Sequence, residues 1–241
     1  MSVTTRSRTE RPVPTRRPRR RLLRGRVEIV KANIWANSID AIAVSGVRAR
    51  SSQELRTTVV RDPEDPAVEQ LRPERRAFAR KALARGDRGY FLWVGDSLAG
   101  WHWVAKQTHR DTWSGIKFRL QPGDAFLYDL WMEADRRGTR HTLALTDWTA
   151  TNLKNDPEVK RVFTLIEADN HSSMLLVQRY GFSVIQQVGI VRFAGRIGWH
   201  VPWTNRPNSG PASRREEPDA ARALLDVDAA DRPGDHEALD L

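Results

Sequence analysis

The sequence contains no cysteine. That excludes disulfides, thiolate-bound zinc, iron–sulfur clusters and a thiol nucleophile. It has no uncharged apolar run near the ~18 residues that a membrane-spanning helix needs, so no membrane contact is expected and the protein reads as cytoplasmic. Its six histidines show no ligand spacing, so no metal site is expected. Repeats of solenoid period are also missing. Acidic charge is scarce in one place above all, since residues 1–26 hold ten arginines against the single acid Glu10.

Charge is what the sequence has in excess. Across 241 residues, 40 Lys+Arg oppose 30 Asp+Glu, a formal +10. Residues 1–26 carry +9, residues 204–241 carry five arginines and nine acids for −4, and residues 27–203 keep +5. Proline and like-charge repulsion block helix in the arm. It is expected to be disordered and open to contact with a polyanion. Arg24, Arg26, Glu28, Lys31 and Asp40 interrupt the apolar stretch of an export signal, so none is expected. The tail 204–241, rich in Pro, Asp, Ala and Arg, is expected to be disordered beyond a short helical stretch at 219–225. The length suits one folded domain, 27–203, between these ends.

Periodicity gives a mixed order of elements inside that domain. Arg26–Ala32 reads as a strand, Ile39–Val47 as a short helix and Pro66–Arg85 as a longer one with Gly86 as its stop. Tyr90–Val94 and Leu98–Ala105 form a hairpin around Gly95-Asp96-Ser97, with Trp101 and Trp103 on one face. His109–Gly123 reads as a loop, Ala125–Met132 as a strand, and His141–Asn152 as a helix. Val162–Ala168 is a strand, and Asn170–Tyr180 a helix stopped by Gly181. Val184–Phe193 and Ile197–Trp203 read as a final strand pair. Strands and helices in this order imply an α/β (mixed α+β) fold.

The stretch 125–150 carries the chemistry. Arg136-Arg137-Gly138-Thr139-Arg140 opens a helix, where backbone N–H groups lack intrahelical acceptors and the helix dipole is positive. A phosphate suits such a place, and Arg136, Arg137 and Arg140 add fixed charge. About thirty residues later come Asn170-His171-Ser172-Ser173 and, a helix further on, Gly181-Phe182.

These two motifs and their spacing resemble the GNAT superfamily of acyl-CoA-dependent N-acyltransferases. Arg137-Gly138-Thr139-Arg140-His141-Thr142 partly matches its Arg-x-x-Gly-x-Gly/Ala pyrophosphate loop. Asn170, Ser173, Gly181 and Phe182 match its Asn-x-x-Ser…Gly-Phe pattern, and Leu98-Ala99-Gly100 its hydrophobic-Ala/Val-Gly strand. The match covers about 88–194. Three departures stand out. Arg140 replaces the loop's first glycine, Thr142 its second small residue, and Val177 a tyrosine seven residues after the Asn.

The resemblance implies a splayed mixed sheet of about six to seven strands with helices on both faces. Acetyl-CoA or another acyl-CoA would be the cosubstrate, with no metal. The pantetheine would lie between Phe126–Met132 and Val162–Ala168, taking backbone hydrogen bonds from Leu130, Trp131 and Met132. The pyrophosphate would meet Arg136, Arg137, Gly138, Thr139, Arg140, His141 and Thr142. Asn170 and Ser173 would lie near the cofactor, although Asn170 also suits an ordinary helix N-cap. Tyr180 could stand in for the missing acid, one helical turn from Val177. A general base must take a proton from the acceptor amine. Asp124, Asp129 and Glu133 are candidates, with Asp129 first because it shares a face with Leu127, Trp131 and Glu133 on strict alternation. Trp113 in the polar loop is a pocket candidate. The acceptor would be a small-molecule or peptide amine, and the protein a monomer or homodimer. Two other readings stay open: a donor that is an acyl carrier protein or aminoacyl-tRNA, and a nucleic-acid-binding protein with a silent GNAT-like core.

Overall fold

A computed structural model of the chain describes residues 27–46, 55–193, 196–203 and 225–226. The arm 1–26 and most of the tail 204–241 lie outside the described residues. The elements run β1 (Val27–Ser38), β2 (Leu55–Val60), α1 (Pro66–Glu69), α2 (Pro73–Ala84), β3 (Arg88–Val94), β4 (Ser97–Ala105), β5 (His109–Arg110) and β6 (Lys117–Phe118). They continue with β7 (Asp124–Met132), α3 (Arg140–Lys154), β8 (Arg161–Glu167), α4 (His171–Arg179), β9 (Ser183–Phe193), β10 (Arg196–Trp203) and β11 (Leu225–Asp226).

Eight strands form one sheet in the order β10-β9-β1-β8-β7-β4-β3-β2. Its pairs are antiparallel except β7 with β8, which α3 connects. A small second sheet runs β11-β6-β5, so the stretch 109–123, read as loop, contains two short strands, and the tail returns one two-residue strand to it. The eighth strand is β2, whose β-branched Thr-Thr-Val-Val run pairs with β3 at the edge.

Ile39–Val47 is not helical where described. Its amides are spent on other elements: Ile39 N donates to Lys160 O, Ala43 N to Tyr180 O and Ser45 N to the Asp147 carboxylate. A helix there would leave those acceptors unpaired. The hairpin turns on Gly95-Asp96, with Val94 paired to Ser97.

Each face of the sheet has its own core. On one face Ile34, Phe91, Trp101, Trp103, Phe126 and Phe163 pack with Ala79, Ala82 and Leu83 of α2. On the other Trp35, Leu92, Val104, Leu127 and Ile166 pack with Leu145 and Leu153 of α3 and with Tyr180. Both helices start on clear signals: Pro73 at the first turn of α2, and the Thr139 hydroxyl accepting from His141 N before α3. Gly181 ends α4 at φ +82, where a Cβ would meet Asn37 Nδ2 at 3.1 Å and Ala41 O at 3.3 Å. Among the described residues, no helix is long and apolar enough to cross a membrane.

Candidate active site

The two parallel strands part in the middle of the sheet. β7 and β8 pair from Asp124↔Arg161 to Leu127↔Thr164. Pairing then stops, although β7 runs on to Met132 and β8 to Glu167. Beyond that point β7 stays with β4 and β8 with β1. At the closed end Arg161 clamps buried Asp124, with Nε at 2.9 Å and Nη2 at 2.8 Å from Oδ1. That ion pair takes Asp124 out of the set of candidate bases.

A β-bulge lies at the mouth of the opening. Trp103 faces Tyr128 and Trp101 faces Trp131, so Asp129 and Leu130 together oppose His102. Asp129 sits at φ +48, the one non-glycine residue with positive φ among the described residues. Bulges bend a strand and re-aim its side chains, and this one corrects the alternation. Asp129 turns to the α2 face, beside Tyr128 and Trp131, whereas Leu127, Leu130 and Met132 belong to the α3 face.

On that face Asp129 Oδ2 accepts from Trp101 Nε1 at 3.1 Å and lies 3.4 Å from Arg75 Nη1. Oδ1 has no donor among the described residues. Burial raises the Asp129 carboxyl above its ordinary value. Arg75 and the Trp101 hydrogen bond oppose the rise, and nearby Asp111 adds to it. Asp111 is itself raised by burial while accepting from Ser114 N at 2.7 Å. The Trp101 and Trp131 rings stack with centroids 4.1 Å apart. Glu133 is half-exposed and lies 3.5 Å from Arg72. Trp113 packs at the edge of the α2-face core, under the Arg192 guanidinium at 5.2 Å.

The loop after β7 begins with a 3-10 turn at Ala134–Arg136. Arg137 Nε donates to Met132 O at 2.9 Å, tying the loop to the strand end. The Thr139 and Thr142 hydroxyls both donate to Arg136 O, at 2.6 and 3.4 Å. Gly138 has φ +66 and open space where a Cβ would lie. His141 is held below its ordinary value by burial and by Arg140 and Arg136, a sign that cationic side chains gather at the start of α3. Exposed Asn170 caps α4, its Oδ1 accepting from Ser173 N at 3.2 Å.

Tyr180 lies elsewhere. It is 2% exposed, and its hydroxyl donates to Asp147 Oδ1 at 2.7 Å, with Leu143 O at 3.2 Å. Burial and Asp147 push its phenol above the ordinary value. Its hydroxyl, read from sequence as a stand-in for the missing acid, is instead engaged inside the α3-face core. Tyr180→Phe is expected to cost about 1–3 kcal/mol of stability and to leave turnover per folded molecule unchanged. Thermal melts beside active-site-normalised rates check this, and a selective loss of turnover would restore the acid role.

Sequence reasoning missed Arg72, Arg75 and Asp111. Pro73 marks the start of α2, and the i, i+3 spacing puts both arginines on one helix face, but nothing local says what they meet. Open clefts of about 270 Å³ at Arg61 and Asp156 and about 400 Å³ at Glu28 and Asp169 include no β7 residue.

No family model matches the sequence, and no curated protein matches it. Solved structures do share its architecture. The GCN5-related glucosamine N-acetyltransferase region of a fungal multi-domain GH3 β-N-acetylglucosaminidase superimposes with a TM-score of 0.51 at 10% identity, over 69% of this chain and 21% of that one. A tandem GNAT protein from the clavulanic acid biosynthesis pathway gives 0.44 at 18% identity, over 73% and 54%. A GCN5-related N-acetyltransferase from Kribbella flavida gives 0.42 at 10%, over 66% and 56%. This chain spans less than two thirds of each of those proteins. Among the described residues the mixed sheet parts at its one parallel pair, with a helix opening beside the gap. The chain has the GNAT fold.

Proposed function

We propose that the protein is a cytoplasmic N-acyltransferase that moves an acetyl or other acyl group from acyl-CoA to a primary amine. The observation that supports this most is the bulge. It sets Asp129 on the α2 face at the point where β7 and β8 part, while the loop 136–142 opens α3 on the other face.

In this reading the backbone of Leu130, Trp131 and Met132 holds the pantetheine arm. Arg136, Arg137, Gly138, Thr139, Arg140, His141 and Thr142 hold the pyrophosphate, with Asn170 and Ser173 at its side. When bound, acyl-CoA supplies an activated thioester carbonyl. Asp129 Oδ1 accepts the proton that the acceptor ammonium must lose before attack. Arg75 and Trp101 fix Oδ2 and favour the ionised carboxylate against the effect of burial. Glu133 is the second candidate base. A backbone N–H of the parted strand steadies the oxyanion as the N–C bond forms and the C–S bond breaks. With Tyr180 buried, no side chain is assigned to protonate the departing thiolate.

Arg140 in place of the loop's glycine favours one alternative donor, an acyl group on a carrier protein or tRNA. Thermal unfolding separates the two. Acyl-CoA at a hundred times its Kd is expected to add about 2.7 kcal/mol, a rise of roughly 5–10 °C for a domain of this size. No shift with acetyl-CoA or longer acyl-CoAs would overturn the CoA assignment.

A further inference from the structure

The acceptor side of the site holds two seats of the same make. In the first, the Arg75 guanidinium lies 5.9 Å over Trp101 and 3.4 Å from Asp129. In the second, the Arg72 guanidinium lies 5.2 Å over Trp131 and 3.5 Å from Glu133. The two indoles stack at 4.1 Å and 14°, so the two seats share one aromatic pair. An aromatic face with a carboxylate at its rim recognises a cation.

The second seat is loosely held. The Arg72 side chain is 58% exposed and Glu133 38%, at a separation near the limit of an ion pair. A pair so exposed contributes little, and a solvated guanidinium can swing away. From the geometry we infer that Arg72 stands in for a second cationic group of the acceptor. The acceptor is a flexible molecule with two positive groups, one amine offered to Asp129 and the other seated between Trp131 and Glu133. This rests on the acyltransferase reading of Asp129.

An anionic acceptor clamped by the two arginines fits less well. Arg72 and Arg75 are each already paired with a carboxylate, Glu133 and Asp129, and Asp111 lies near Asp129, so an added anion must compete with those carboxylates for the arginines. A cation replaces Arg72 like for like and leaves the balance unchanged.

Three probes of one length decide it: butylamine, 1,4-diaminobutane and 4-aminobutanoate, titrated calorimetrically into the full chain. The diamine is expected to bind about tenfold tighter than butylamine, and 4-aminobutanoate more weakly than either. Arg72→Ala vacates the seat and should tighten the diamine further. Glu133→Gln should bring the diamine-to-butylamine ratio toward one on that variant. Equal affinities for the two amines overturn the proposal. So does tightest binding of 4-aminobutanoate that Arg72→Ala abolishes, which would make the arginines an anion clamp. Acetyl transfer from acetyl-CoA is read separately. The expected binding order without transfer sinks the acyltransferase reading and keeps the seat; transfer to butylamine and diamine alike, with equal affinities, sinks the seat and keeps the reading.

Discussion

Asp129→Asn is expected to lower kcat by about 10²–10⁴-fold while the melting temperature holds or rises. The amide keeps the shape and an oxygen for the Trp101 indole N–H, and Asn tolerates the left-handed backbone at φ +48. Arg75 loses a partner but is 39% exposed, so water can solvate it. What disappears is the ionisable oxygen that takes the acceptor's proton. The stability change follows from the raised carboxyl. Between its ordinary and its raised value, the folded state keeps a proton that the unfolded chain has lost. Stability therefore falls as pH rises through that window, and asparagine is free of that cost. The same shift fixes the pH profile. The acid limb of kcat/KM should lie above the ordinary carboxylate value of about 3.9, and Arg75→Gln should move it higher by removing the charge that opposes the rise. Steady-state rates and melts on the same preparation check all of this. Full turnover in Asp129→Asn would pass the base role to Glu133. Lost turnover together with a large fall in melting temperature would make Asp129 structural.

How much of this was legible depends on how far apart the partners lie. The hairpin at Gly95-Asp96, helix α3 with its Thr139 cap, and helix α4 between Asn170 and Gly181 are set by neighbours within one turn. Sequence shows them to within a few residues. The bulge is a slip between two strands. It exists only once Trp101 and Trp103 meet β7, so alternation along β7 alone puts Asp129 beside Leu127. Tyr180 falls to the same limit. Helical spacing places it one turn from Val177, but the group that claims its hydroxyl is Asp147, 33 residues earlier. Arg72 and Arg75 reach their carboxylates across 61 and 54 residues. The turn 136–142 with the start of α3 is a local strand–turn–helix and could be read from its motif. The surroundings of Asp129 are assembled from β4, β7, α2 and the 109–118 segment, and each contributes residues that are unremarkable alone.

The second large effect is expected in acid. His102 and His109 are 5% and 3% exposed, and burial pushes each from 6.5 to about 4, with Arg85 contributing at His109. Among the described residues, neither ring nitrogen of His109 has a partner, nor does Nδ1 of His102. The His109 ring packs against both Phe126 and Tyr128, at 5.1 and 4.2 Å. Because the folded values are depressed, the unfolded chain takes up protons first. Stability is intact above about 6.5 and is lost as pH falls toward 4. At pH 4.5 linkage gives roughly 2–3 kcal/mol for each histidine, a large share of the 5–15 kcal/mol typical of a domain. Asp156 adds little in that window. Burial opposes its ionisation, but Arg88 and Lys106 hold its carboxyl below the ordinary value, so its contribution persists until lower pH. His109→Phe keeps a ring in the stack and removes one proton site. Its drop in melting temperature between pH 7.5 and 4.5 should be smaller than the wild type's by roughly 5–10 °C, and an equal drop would refute the assignment. The variant also separates two acid effects that overlap in the wild type. Tyr128 packs on His109 and directly precedes Asp129, so protonating His109 undermines the strand that carries the proposed base. In His109→Phe the loss of near-ultraviolet circular dichroism should move to lower pH. The acid limb of turnover, set by Asp129, should stay where it is.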